Sequence, residues 1–232
     1  MDRQDLTLLA LAAASLGLAG WLLWRLRGAA RARAARRAGY FDAAAELFTG
    51  VTRGLAPDGF ARLNGQRGGR VFDLQAVPDT LTFRKLPALW VLVSLPGPVP
   101  VGATFDLMLR PTGGETFSNF GALRHSVAAP AGFPPGAALR TDDPAGLPDA
   151  GLLRPHLAVF ADPAVKELVI SPRGLRLVIL AEEADRTRYL LFRDAEMGAV
   201  PLPPARLRPL LEVLAALAAD LEAAAGTREH AP

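Results

Sequence analysis

The side chains with chemical reach in this chain are few, and their spacing narrows them further. Glu182-Glu183-Ala184-Asp185-Arg186-Thr187-Arg188 gathers three acids and two bases in seven residues. With Asp142-Asp143, these carboxylates offer the oxygen ligands of a divalent-cation site. The mixed signs suit exposed ion pairs with Arg186, Arg188 and Arg193 better, and such pairs contribute little energetically. His125-Ser126, with Asp142 or Asp143 as orienting acid, has the residue types of nucleophilic catalysis. A triad is defined by spatial roles, and adjacent loop residues seldom share a productive geometry. His156 reads as a half-buried packing residue, and Lys166-Glu167 as the solvated opening of a strand. Arg84-Lys85 reads as a solvated turn, with lipid headgroups as the other candidate contact. No catalytic residue, metal or cofactor is assigned.

Composition removes further chemistry. There is no cysteine, and three histidines (His125, His156, His230) are too few and too scattered for a histidine metal site. Disulfides, thiolate nucleophiles and cysteine-ligated metals are therefore excluded. Neither a phosphate-loop nor a serine-hydrolase signature is present. Gly65-x-x-Gly68-Gly69 precedes a strand-like run instead of following one, so it reads as a turn.

The elements that must position these groups begin with an apolar run. Leu6–Trp24 holds nineteen residues without a charge. As a helix rising ~1.5 Å per residue it spans about 28 Å, close to the ~30 Å hydrocarbon core of a bilayer. Trp21 and Trp24 stand at one end, and Arg25, Arg27, Arg31, Arg33, Arg36 and Arg37 follow. That asymmetry predicts an uncleaved single-pass anchor with its C-terminal side cytoplasmic and its N-terminus outside. A cleaved signal peptide needs its positive charge before the run. The six arginines are the candidate lipid-headgroup residues, on a helical stalk. The Ala13/Gly17 spacing points weakly to a neighbouring membrane helix.

Charge separates this region from the rest. Residues 1–39 carry seven arginines against Asp2 and Asp5, a balance of +5, whereas the whole chain carries +3, leaving −2 for residues 40–232. A slightly acidic domain argues against nucleic acid as partner.

Beyond the stalk, Tyr40–Arg53 has the spacing of a short amphipathic helix. Strands are predicted over Arg70–Val77, Leu81–Phe83, Ala88–Leu95 and Gly102–Arg110, the third central and buried. Pro111–Pro155 holds seven prolines and seven glycines and reads as one long loop. A short helix over Gly151–Ala161 follows despite Pro155. Glu167–Ser171 and Leu175–Ala181 form a hairpin across Pro172-Arg173-Gly174, with a third strand at Arg188–Arg193. Leu207, Leu210, Leu214, Leu217 and Leu221 line one seam of a helix over Leu207–Ala224. The order predicts an α+β fold with a mainly antiparallel sheet and a long C-terminal helix. The division is residues 1–24 tail and transmembrane helix, 25–39 stalk, 40–225 cytoplasmic domain and 226–232 polar tail.

The stretches TLTFRKLPALWVLVSL, RPTGGETFSNFGAL, KELVISPRGLRLVI and EEADRTRYLLFRDAE resemble segments of uncharacterised single-pass, membrane-anchored bacterial proteins of alphaproteobacterial type. The likeness spans much of residues 60–200. It implies the anchored arrangement and carries over no activity, ligand or catalytic residue.

These observations predict a bacterial inner-membrane protein that presents an interaction domain to the cytoplasm. Its partner would be another membrane protein or a second copy of the chain. The five seam leucines and the Pro111–Pro155 loop are the candidate contact surfaces. The alternatives are an enzyme or small-molecule-binding domain centred on Glu182, Glu183 and Asp185, and a sensor of anionic lipid.

Overall fold

The computed structural model describes residues 3–80, 86–192 and 195–229. Helix α1 (Arg3–Ala38) joins the apolar run to the arginine stalk without a break. Nine strands follow: β1 (Thr49–Leu55), β2 (Ala61–Arg67), β3 (Arg70–Asp79), β4 (Ala88–Pro96), β5 (Phe105–Leu109), β6 (His125–Val127), β7 (Ala137–Thr141), β8 (Val165–Ser171) and β9 (Gly174–Glu183). Helices α2 (Ala150–Leu153), α3 (Arg186–Phe192) and α4 (Pro204–Glu229) complete the regular elements, with 3-10 turns at Ala43–Leu47 and Arg154–Ala161. The strands form one sheet in the order β1-β2-β3-β4-β9-β8-β5-β7-β6. Neighbours are antiparallel throughout, as the α+β expectation required.

Alternation along the central strands sorts their side chains to two faces, because successive residues of a strand point oppositely. Leu89, Val91, Val93 and Leu95 of β4, with Leu175, Leu177 and Ile179 of β9, point into the main core. Helix α4 lies across that face and touches β4, β9 and both 3-10 turns. Its Leu207, Leu210, Leu214, Leu217 and Leu221 are all buried there. The seam is thus covered by the chain's own sheet, and none of the five leucines offers a surface to a partner. Polar clamps fix the helix at its rim. Arg70 holds Glu222 through two hydrogen bonds of 2.9 and 2.8 Å, and His156 Nε2 meets Asp220 Oδ2 at 2.8 Å. His156 is therefore a packing residue with a polar partner, more deeply buried than the half-buried position expected.

Several sequence expectations change. Tyr40–Arg53 is not one helix: a single 3-10 turn gives way to β1 at Thr49. Thr49, Val51 and Thr52 favour extended backbone, and Gly50 at φ +59° lets the strand kink as its pairing shifts. Strand β2 escapes the sequence pattern because Gly65 occupies a core-facing position. A Cβ there would lie 2.6 Å from Phe48 Cβ, so only glycine fits beneath the ring. Gly68 and Gly69 do form a turn, both at positive φ, closing the β2–β3 hairpin.

Pro111–Pro155 is no single loop, since it contains β6 and β7 and opens α2. Where a strand is predicted over Arg188–Arg193, the described part, up to Phe192, is the helix α3, with Asp185 Oδ1 accepting from the Arg188 amide at 2.7 Å in its first turn. The polar tail begins within α4, which runs to Glu229. The expected strand at Leu81–Phe83 and the pair Arg84-Lys85 lie outside the described residues.

Among the described residues no helix is long and apolar enough to cross a membrane. The side chains of Leu6, Leu8, Leu9 and Ala10, the first part of the apolar run, fall outside that set. Those of Leu11, Leu16, Leu18, Trp21, Leu22, Leu23, Trp24 and Leu26 are exposed. At its far end α1 docks on the domain. Arg36 pairs with Glu196 at 3.5 Å, and the Arg37 guanidinium lies 4.8 Å from the centre of the Phe60 ring.

Leu214 tests the role of α4. Leu214→Ala should lower unfolding free energy by about 2–5 kcal/mol, the range for a leucine cavity in a packed core. Urea denaturation followed by circular dichroism would read the loss, and an unchanged midpoint would remove the seam from the core.

Candidate functional site

The second face of the sheet carries the polar chemistry. Pairing brings Asn64, Asp73, Ser94, Arg176, Val169, Asp106, Arg140 and Ser126 into one transverse row, from β2 to β6. The adjacent row on the same face reads Arg62, Gln75, Leu92, Val178, Glu167, Met108 and Ala138. Leu92, Met108 and Val178 form a small second core with Phe117 and Phe120 of the loop that leaves β5. Glu167 is thus set among apolar neighbours, one row from Asp106. Diagonal neighbours on adjacent antiparallel strands lie ~7–8 Å apart at the backbone, within reach of an aspartate and a glutamate side chain.

Both carboxyls are buried, Asp106 at 3% exposure and Glu167 at 1%. Their side chains hydrogen-bond to one another. The Ser118 hydroxyl of the covering loop donates to Glu167 Oε1 in a short hydrogen bond. Asp106 Oδ1 and Glu167 Oε2 are buried with no hydrogen-bond partner. Burial pushes both carboxyls above the usual carboxylate range. The charge and hydrogen bond of Glu167 raise Asp106 further, while Ser118 and Arg176 pull Glu167 partly back. Two acids this close in an apolar setting do not both ionise, so the pair shares a proton near neutrality.

Beside the pair opens a cavity of about 430 Å³. Ser94, Arg176, Val169 and Asp106 form its floor, and Ser171, Arg173 and Gly174 of the β8–β9 turn bound one end. The register carries Thr104 and Asp142 into the same row as Ser171 and Gly174, while Ser118, Asn119 and Leu123 form the roof. The roof is pinned rather than loose. Phe117 packs on Trp90 with ring centres 4.4 Å apart, and Arg140 donates to the Gly121 and Leu123 carbonyls at 3.1 Å each. At the root of the roof, Lys166 Nζ donates to the Leu109 and Arg110 carbonyls at 2.6 and 2.7 Å. Arg176 is half-buried and directs its Nε to Ser94 Oγ at 3.1 Å.

The residues singled out from sequence fall elsewhere. Glu182 accepts from the Gly198 amide at 3.0 Å, and with burial it pushes the Tyr40 phenol upward. Asp185 caps a turn and Glu183 is exposed, so these three acids do not converge. Among the described residues no group of three or more potential ligands could hold a metal ion. His125 and Ser126 are both exposed on β6, neighbours that point oppositely. Asp142, which follows the His125 partner Thr141, instead accepts from the Thr104 amide at 2.7 Å. Arg25, Arg27, Arg31 and Arg33 are exposed on α1, whereas Arg36 and Arg37 are engaged by the domain.

Glu167 corrects the expectation of a solvated strand opening, because β8 is an interior strand flanked by β9 and β5. The signal for Asp106 was present, an acid inside Phe105-Asp106-Leu107-Met108-Leu109. Strict alternation places it on the face opposite the three core residues.

Comparison with protein-family models, curated proteins and solved structures gives no match for this chain.

The carboxyl pair makes a signed prediction. Above about pH 4, where free carboxyls ionise, the native pair binds more protons than the unfolded chain. Stability must then fall as pH rises. Between about pH 5 and about pH 8, Asp106→Asn should shrink that fall by about 1–3 kcal/mol, since each tenfold difference in proton affinity between folded and unfolded chain is worth ~1.4 kcal/mol. Chemical denaturation at several pH values measures the slope, and a variant as steep as the wild type would refute the shared proton.

Proposed function

We propose that this chain is a membrane-tethered binding protein whose cytoplasmic α+β domain holds a small molecule in the cavity on its second sheet face. One observation carries the ligand-binding reading: the polar side chains of Ser94, Arg176, Ser118 and Asp142 converge on a space of about 430 Å³. Sites of that size, part apolar and part polar, are the usual form of small-molecule pockets. Groups with strongly displaced pKa values concentrate at functional sites. The reading belongs to the small-molecule alternative raised from the sequence, with Asp106, Glu167, Ser118 and Arg176 in place of the Glu182 cluster. Partner binding through the leucine seam draws no support, because that seam is core.

The tether rests on different support. Leu6–Trp24 is uncharged, its described leucines and tryptophans are exposed, and four exposed arginines follow it. A lipid environment accounts for that surface, with Trp21 and Trp24 at headgroup level and the arginines reaching phosphates. On this reading the chain resides in a bacterial inner membrane, with residues 40–225 on the cytoplasmic side.

Two measurements test the two halves. The chain has no cysteine, so single substitutions report topology cleanly. In intact spheroplasts a membrane-impermeant maleimide should label Gln4→Cys and spare Thr227→Cys until lysis, and the reverse pattern would overturn the orientation. Native mass spectrometry of the full chain, released from detergent after exposure to a small-molecule extract of its host, tests the cavity. The wild type should carry a bound mass that Val169→Trp, with its ring in the cavity floor, excludes. An adduct that survives this substitution would place binding elsewhere, and a wild type that captures nothing would remove the ligand-binding reading.

A further inference from the structure

The unused hydrogen-bonding capacity of the cavity is not balanced between donors and acceptors. Among the described residues Arg176 uses only its Nε, on Ser94, and its terminal N–H groups have no hydrogen-bond acceptor there. Ser94 Oγ receives that bond and keeps its own proton to donate. Arg173, exposed at the β8–β9 turn, adds a second cation at the mouth. The acidic side is largely spent. Asp142 Oδ1 is committed to the Thr104 amide, and Glu167 Oε1 to Ser118. The unpartnered oxygens of Asp106 and Glu167 are closed to solvent, where they hold a proton and not a ligand. The apolar part of the lining is Val169 beside Arg176 on the floor, Pro96 at the end of β4 and Leu123 in the roof.

We propose that the cavity takes a small organic acid, a monocarboxylate seated on the Arg176 guanidinium with an apolar body against Val169 and Leu123. This rests on the cavity being a ligand site and adds the chemistry of the ligand. A planar guanidinium matches a carboxylate through two parallel hydrogen bonds, and partial burial strengthens them. The buried acid pair decides the sign of the site. With both carboxyls ionised, their charges would cancel Arg176 and Arg173 and repel an anion. Holding a proton, the pair sets one negative charge fewer against Arg176 and Arg173, with Asp142 as the other lining carboxylate. The charged groups around the pair are Arg176 on β9, Arg140 on β7, Lys166 on β8 itself and Glu115 in the roof, with Arg173 at the β8–β9 turn and Asp142 just after β7. Arg140 is engaged with roof carbonyls and Lys166 with the end of β5, which leaves Arg176 as the cation directed to this space.

The test uses the full chain in detergent and three probes that share one apolar body: hexanoate, hexylammonium and hexan-1-ol. Calorimetry should show saturable binding of hexanoate, at least tenfold tighter than either other probe. Affinity should weaken as pH rises from about 6 to about 9, while the pair ionises. Arg176→Gln should lose at least tenfold in hexanoate affinity, with Arg176→Lys intermediate because it keeps charge without the paired geometry. Circular dichroism of each variant verifies folding, and Arg173→Gln, at an exposed turn, is a second variant that should weaken hexanoate by a smaller factor. Tighter binding of hexylammonium, or equal binding of hexanol, would overturn the assignment of an acid. If Val169→Trp abolished that binding, the cavity would still stand as a ligand site. Failure of all three probes overturns the acid assignment, and the ligand-binding reading falls with it only where native mass spectrometry also finds no captured mass.

Discussion

The burial of one apolar helix stripe against the middle of the sheet is the constraint on which everything else depends. Strands β4 and β9 are nearly continuous runs of leucine, valine and isoleucine, and half of those side chains need cover. Helix α4 supplies it, with its leucines at a spacing that keeps one face on the sheet. Burying each such side chain contributes ~1.5–3 kcal/mol relative to leaving it exposed. Once one face is committed in this way, no helix among the described residues covers the opposite face of the same strands. That face holds the serines, the arginine and the two acids, roofed in part by a short aromatic-pinned loop. The site is therefore a consequence of asymmetric covering: a sheet packed on both faces by helices would have no room for it.

The same asymmetry explains how the acid pair is tolerated. Two carboxyls in an apolar setting would be costly as charges, and retaining a proton removes much of that cost. The price is a structure whose stability is tied to pH. The surrounding elements reduce it further, because Ser118 reaches down from the roof and Arg176 lies one strand away. Polar groups in this part of the fold are connected to each other and to the roof, so the site and its cover are one assembly.

Much of this architecture was legible in the residues. The run from Ala88 to Leu95 announced a buried central strand, and Leu207 to Leu221 announced a helix with one apolar seam. What the seam faced was not legible, since a stripe of leucines reads alike whether it meets a sheet or a second protein. The roof region was obscured by its prolines and glycines, which mask β6 and β7 at three and five residues each. The Arg188–Arg193 stretch was misassigned because four apolar residues between two arginines fit either period. The site itself was half visible. Asp106 breaks an otherwise apolar strand, an anomaly with a physical cost, whereas Glu167 looked ordinary because Lys166 precedes it. Only three-dimensional pairing brings these acids together, across 61 positions of sequence.

Lys166 itself has a wider consequence. Val165 pairs with Ile179 and Glu167 with Val178, consecutive partners on β9, so Lys166 is one residue more than the ladder requires. Its ammonium closes on the two carbonyls where β5 ends and the roof begins. The sheet frame is complete without this residue, and the roof is an excursion between two strands that pair regardless. Frame and cover can therefore diverge separately: a lineage could lengthen, shorten or re-decorate the cover together with its lysine anchor while every strand keeps its register. The cover can therefore change while the pairing of the described strands beneath it stays as it is.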